Sequence, residues 1–206
     1  MTLPLPELLA LVGPMMLFAI SMSATPGPNN MMLTASGANF GFLRTLPHML
    51  GISIGVMGLM GAVALGLGAL FEQWPSLQQA LRLIGSVYLL WLAYRIATAP
   101  PPDGEGAGAK AQPLSFWQAA AFQFANPKAW VMAISGIASF TLSGDAFLAS
   151  AVVVIAVMGM TNLPSIALWA GFGVAVGRLM TTRRHWRIFN AVMGLLTAAC
   201  VVMILG

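Results

Sequence analysis

The stretch Thr25-Pro26-Gly27-Pro28-Asn29-Asn30 lies inside an apolar run that extends from Leu8 to Phe42 with few polar residues. Two prolines and a glycine remove backbone donors and interrupt the i to i−4 ladder of a helix. In water such a stretch is a loop. Within a membrane its freed carbonyls and amides need partners, so it is tolerated only where protein or a polar cavity surrounds it. Asn29 and Asn30 bring side-chain donors and acceptors to the same point. A broken helix with amides at membrane depth points to a solute site of the kind carriers use.

Composition sets the frame. Of 206 residues, 59% are hydrophobic and 7% charged, against about 25% charged in soluble domains. The expected class is an all-α integral membrane protein, with the lipid bilayer as its main partner. The acids Glu7, Glu72, Asp103, Glu105 and Asp145 all fall in or near breaks between apolar runs. The net charge of +4 comes from arginines at span edges. No basic surface with interleaved aromatics exists outside the spans, which argues against a nucleic-acid partner. A single cysteine, Cys200, excludes an internal disulfide and a CxxC metal or redox site. It reads as a small packing residue. No metal or cofactor is expected. The N-terminus lacks the basic region of a cleavable signal, and the first apolar run is long enough to remain as a span.

Taking about 20 apolar residues per crossing, the sequence predicts six spans, over 8–39, 46–70, 77–97, 116–140, 147–177 and 188–205. The first is too long for a straight crossing and must bend or tilt. The fifth carries an interruption at Asn162 and Pro164. The stretch 99–113, with Pro100, Pro101, Pro102, Gly104 and Gly106, reads as the one linker. Six crossings place Arg44, Arg95, Lys110, Arg178, Arg183, Arg184 and Arg187 on one side. Glu7, Glu72, Asp145 and Arg82 fall on the other. The positive-inside rule then puts the arginine-rich loops in the cytoplasm and both termini outside. Arg44 and His48, near the start of the second span, read as interfacial and solvated. Trp74, Tyr88, Trp91, Tyr94, Trp117 and Trp186 suit anchoring at the interfaces. Gly51, Gly55, Gly58 and Gly61, with Gly171, Gly173 and Gly177, offer small-residue faces for helix packing or for a homodimer.

A second break is Gln123-Phe124-Ala125-Asn126-Pro127-Lys128, in the first span of the second half. Lys128 is the one charge deep in an apolar span. A lysine at the bilayer centre costs about 2.5–3.5 kcal/mol on insertion scales, and its stem is too short to reach an interface from there. A cavity, freed carbonyls or a substrate carboxylate must compensate, unless a re-entrant span leaves it near water. Pro26 and Pro127 open equivalent spans of two three-span halves, 1–98 and 114–206, whose odd span number makes them inverted repeats. The candidate binding set is Pro26, Gly27, Pro28, Asn29, Asn30, Gln123, Asn126, Pro127 and Lys128, with Asn162 and, two turns beyond it, Trp169. Lysine supplies a cation for a carboxylate, and the amides and freed carbonyls supply acceptors for an ammonium. The same asparagines can also do no more than patch backbone groups that the prolines freed.

Ala24-Thr25-Pro26-Gly27-Pro28-Asn29, paired with Asn126-Pro127-Lys128, resembles the signature of the LysE/RhtB family of amino-acid exporters, over nearly the whole chain. Gly51-Ile52-Ser53-Ile54-Gly55, Tyr88–Tyr94 and Asn162-Leu163-Pro164-Ser165 are similar to further spans of that family. Pro26–Asn30, Ile96-Ala97-Thr98 and Ser115-Phe116-Trp117 look closest to its cysteine/O-acetylserine exporter branch. Val56 departs from the pattern, since many relatives carry an acidic or polar residue after the glycine pair. The resemblance implies a bacterial inner-membrane carrier of small amino acids or derivatives, working by proton antiport, with a homodimer as its assembly. The residues themselves leave two competitors. One is a channel or pore, for which no ring of carbonyls or charges is visible. The other is a non-transport structural membrane protein. No phosphate loop supports nucleotide drive, and no nucleophile–base set supports an enzyme.

Overall fold

The computed structural model describes residues 5–67, 73–100 and 112–202. Glu72, Asp103, Glu105, Lys110 and most of the 99–113 linker lie outside the described residues, as does the side chain of Glu7. Among the described residues the secondary structure is helical throughout. The helices are α1 (Leu5–Ala24), α2 (Pro28–Phe40), α3 (Phe42–Ala64), α4 (Pro75–Ala97), α5 (Phe116–Ala125), α6 (Pro127–Phe140), α7 (Phe147–Leu179) and α8 (Arg183–Ala199), with a 3-10 turn at Gly144–Ala146. By length and apolar character α3, α4 and the stretch Gly144–Leu179 can each cross a membrane. The apolar part of α1 together with α2, bent by 65° at the break, makes a fourth. The helices α5 and α6 share the fourth expected span as pieces of 10 and 14 residues.

Local chemistry sets these ends. Pro28, Pro75 and Pro127 each open a helix, where the missing N–H costs nothing and φ is already helical. Ser115 begins α5 with a capping box: its hydroxyl accepts from the Gln118 amide at 3.3 Å, and Gln118 Oε1 accepts from the Ser115 amide at 3.0 Å. Gly41 takes φ 81°, a left-handed value that suits glycine, and turns the chain directly from α2 into α3. The second span therefore starts at Phe42 rather than Leu46. Thr182 caps α8 by accepting from the His185 amide at 3.1 Å. The final helix thus starts at Arg183 rather than Ile188, and its first turns carry Arg183, Arg184 and Arg187.

The fifth span is a correction to the sequence reading, because α7 runs unbroken through Asn162 and Pro164 for 33 residues. A single proline removes one donor. In the turn before it, the hydroxyls of Thr161 and Ser165 bond the carbonyls of Val157 at 2.7 Å and Thr161 at 2.8 Å, on either side of the Met160 carbonyl whose donor is lost. Such local bonds let a membrane helix carry a proline without opening.

The helix α7 packs against α1, α2 and α3; α3 also receives α5 and α6, and α4 pairs with α8. The closest approaches pass over glycine. A Cβ added at Gly37 would meet the Ala170 carbonyl oxygen at 2.1 Å, and one at Gly173 the Thr34 carbonyl oxygen at 2.1 Å. The helices α2 and α7 therefore touch backbone to backbone. Gly51 and Gly55 do the same for α3 against Phe116 and Ala120 of α5, and Gly177 for α7 against Ala38. Among the described residues nothing packs over Gly58, Gly61 or Gly171, which are not part of these seams. Among the aromatics, Trp74, Trp91, Tyr94 and Trp117 are exposed, whereas Tyr88 is half-buried against Trp91 and Phe122. Trp186 is instead buried, edge-on to Phe189. Arg44 is exposed as expected. His48 is not: only 1% of it is exposed, because it points inward from the first turns of α3.

Candidate functional site

The two breaks meet. At the first, α1 stops at Ala24 and α2 starts at Pro28, with Gly27 extended between them at φ −175°, ψ 178°. Any residue adopts that backbone, so the reason for glycine is room. A Cβ there would stand 2.9 Å from Lys128 Cδ and 3.3 Å from Nζ. At the second, Asn126 is the only residue between α5 and α6. Proline at 127 pushes it to extended backbone, φ −94°, ψ 109°. Its side-chain oxygen accepts from the Lys128 amide at 3.1 Å, which caps α6.

The Lys128 ammonium crosses to the first break and donates to the carbonyl oxygens of Thr25 and, at 3.4 Å, Pro26. Those carbonyls stand at the end of α1, where its dipole is negative and its acceptors have no helical partner. The ammonium is thus held by backbone that the prolines set free. Asn30 reaches back to the same place and spends both amide hydrogens on Ser23 O and Thr25 O, each at 2.9 Å. That is the patching role. Asn29 instead pairs across the gap. Its amide donates to Gln123 Oε1 at 2.8 Å, and Gln123 Nε2 donates back to Asn29 Oδ1 at 3.2 Å. Gln123 is fully buried and also donates to the Ala119 carbonyl at 2.9 Å. The Asn126 amide completes the cluster, at 3.4 Å from Gln123 Oε1.

These groups surround a cavity of about 30 Å³ lined by Gly27, Pro28, Asn29, Asn30, Asn126 and Lys128 together with Asn162, Ser23 and the apolar Val56 and Met132. That volume holds a water or two. The cavity is therefore too small for an amino acid in this form, and its Lys128 end reaches the exposed Thr25 and Pro26. Asn162 does not break its helix; it ties three helices together beside the cavity. Its amide donates to Ser23 Oγ of α1 at 2.8 Å, and its carbonyl oxygen accepts from Ser53 Oγ of α3 at 3.0 Å. Pro26 and Pro127 flank the cavity without lining it. Trp169 lies away from it, half-buried on α7, and its carbonyl accepts from the Thr34 hydroxyl at 3.4 Å. Sequence reasoning did not assign to the site the lining residues Ser23, Val56 and Met132, nor Ser53, which holds Asn162. The serines could have been found as isolated hydroxyls within apolar runs. Among the described residues no cluster of His, Cys, Asp or Glu could hold a metal ion.

Residues 20–205 match the family described as LysE type translocator. The cysteine/O-acetylserine efflux protein of Escherichia coli (strain K12) is 30% identical over 190 residues, covering 91% of this chain and 93% of that relative. The protein of the same name from Shigella flexneri matches to the same extent. No solved structure matches the chain. The matched span contains both breaks, Lys128 and the glycine seams, and on it the chain belongs to the LysE-type translocator family, multi-pass membrane proteins that are not enzymes.

Proposed function

We propose that this protein exports an amino acid or a small amino-acid derivative across the bacterial cytoplasmic membrane, in exchange for protons, by alternating access. The observation that carries the reading is the Lys128 ammonium resting on the Thr25 and Pro26 carbonyls. A zwitterion inserted between them satisfies both sides. Its carboxylate takes the lysine, and its ammonium takes the two carbonyls that the lysine gives up. Nothing charged is left bare in the membrane at any stage, which matters because an unpaired charge there costs several kcal/mol, on the order of 2.5–3.5 by insertion scales. Since Lys128 and the two carbonyls belong to different halves of the chain, a solute that takes both must part a contact between the halves. Binding is thereby linked to movement. The cavity's small volume supports a carrier over an open pore.

In this reading the chain crosses the membrane six times. The halves 1–98 and 114–206 are inverted repeats, and the loops with Arg44, Arg95 and Arg178 face the cytoplasm. The pairing of helices supports it. Exchanging the halves maps α3 on α7 and α4 on α8, and both of those pairs are in contact. It also maps α1 against α7 onto α5 against α3, and both of those are in contact too. The relatives named for cysteine and O-acetylserine efflux set the solutes to try first.

The test is efflux from proteoliposomes loaded with labelled O-acetyl-L-serine, with and without an imposed pH gradient. Saturable, gradient-stimulated efflux is expected. Lys128→Met should insert normally and lose at least about tenfold in rate, the loss that follows from removing one charge-assisted hydrogen bond. Wild-type efflux by Lys128→Met would overturn the lysine's role. Ohmic conductance would replace the carrier with a pore.

A further inference from the structure

A second cavity, about 220 Å³ against about 30 Å³ for the central one, opens at the arginine-rich end of the bundle. Its walls include Ser36 and Asn39 of α2, His48 of α3 and Arg95 of α4, and its rim is formed by residues at 98–100 and 112–114. His48 is 1% exposed, and both of its ring nitrogens are buried without a hydrogen-bond partner among the described residues. Buried polar atoms are nearly always paired in native proteins, so an imidazole with covered, unpartnered nitrogens beside a cavity marks a ring that a ligand can complete once it turns toward that cavity. Arg95 supplies the complementary charge. Its guanidinium is held over the Trp91 ring at 5.0 Å, which positions it while leaving its hydrogens to bond a partner. The Asn39 amide, by contrast, is already committed to the Asn190 side chain at 2.8 Å and to the Ala35 carbonyl at 2.9 Å.

We propose that the His48–Arg95 cavity is a second solute site, at which a small zwitterion docks before reaching the central breaks. The solute's carboxylate pairs with the Arg95 guanidinium in the bidentate manner that arginine favours. Its ammonium donates to a ring nitrogen of His48 when the imidazole, whose nitrogens are covered in this form, turns toward the cavity. The site is wide enough to admit a solute while the central cavity is too small for one. It is also joined to the centre by an aromatic stack along α4. Trp91 under Arg95 stacks on Tyr88 with centroids 5.5 Å apart, and Tyr88 meets Phe122, the neighbour of Gln123, at 5.9 Å. The inference rests on the amino-acid reading above and deepens it.

The experiment is equilibrium binding of labelled O-acetyl-L-serine to the purified full chain, with the number of sites per chain counted. Two sites are expected for wild type and one for Lys128→Met. Adding Arg95→Gln to Lys128→Met should weaken the remaining site about tenfold or more. His48→Leu, which keeps the volume and removes only the nitrogens, should weaken it similarly. Loss of all binding in Lys128→Met, while wild-type efflux persists, would overturn the second site and leave the central one standing. So would a higher melting temperature for His48→Leu with unchanged binding, the signature of a histidine that only packs. Wild-type protein that neither binds nor moves the probe would overturn both readings.

Discussion

Pro127 breaks its span and Pro164 does not, though each stands inside an apolar run. The difference is the residue in front. Asn126 can leave the helix because its side chain caps the next one, accepting from the Lys128 amide at 3.1 Å. Leu163 has no such group, and the hydroxyls of Thr161 and Ser165 stitch carbonyls in the turn before the proline instead. Pro14 and Pro47 are likewise carried inside continuous helices. At the first break two prolines flank Gly27, so two donors vanish within one turn and the chain bends by 65°. A proline in a membrane helix therefore opens it only where a second proline or a capping side chain makes opening less costly than bending. The same features that open the helix also supply the binding groups.

The largest effect tests the frame on which both kinds of span sit. Gly37→Ala places a methyl 2.1 Å from the backbone oxygen of Ala170. Backbone cannot step aside as a side chain would, so α2 and α7 must separate. Overpacking of this kind costs about 1–3 kcal/mol or more. A large fall in melting temperature in detergent, or no folded protein, is expected, while Gly58→Ala, which faces open space, leaves the melt unchanged. If both variants melt alike, the close seam is not where the bundle gets its register.

Asn126 gives the direct test of the difference at the breaks. Asn126→Leu recreates the Leu-Pro pair of α7. It should remove the cap, at a cost of about 0.5–2 kcal/mol, and allow α5 and α6 to join. Asn126→Ser keeps a capping oxygen and should retain most of the stability. Thermal melts of the two variants, read beside efflux, separate cap from site. A serine variant that is stable but slow assigns the amide to the solute. A leucine variant that is stable and active removes the argument that capping makes the break.

What the sequence disclosed follows the same physics. Proline, glycine and asparagine within apolar runs are visible as letters, and so were both breaks, the lysine and most of the residues around the cavity. Partners across the fold were not. Nothing local in Thr25 or Pro26 says that their carbonyls receive Lys128 from more than a hundred positions away. His48 reads as an interfacial histidine because its neighbours are Arg44 and a span start. It is buried by segments from α2, α4 and the stretch before α5 that meet only in three dimensions. The glycines look alike in sequence, yet Gly55 meets backbone and Gly61, in the same run, meets nothing. Trp169 shares a helical face with Asn162 by spacing, but the cavity ends before it, because α2 packs tightly along α7 there.

The smallest effect comes from the proline that does not break its helix. Pro164 is exposed on the outer face of α7, beside Val157, Met160 and Leu168 in an apolar groove. Pro164→Ala returns a donor to the ladder and removes the ring's crowding of the preceding turn. In a helix interior that exchange is worth up to about 3 kcal/mol. Here the gain is smaller, since the helix already runs unbroken through Pro164. The melting temperature should rise modestly, and efflux should stay within about twofold of wild type, as for a substitution away from any binding group. A variant that is more stable but no longer transports would show that α7 bends at Pro164 during the cycle. The comparison would then change from a broken helix and an intact one to two hinges that open at different stages.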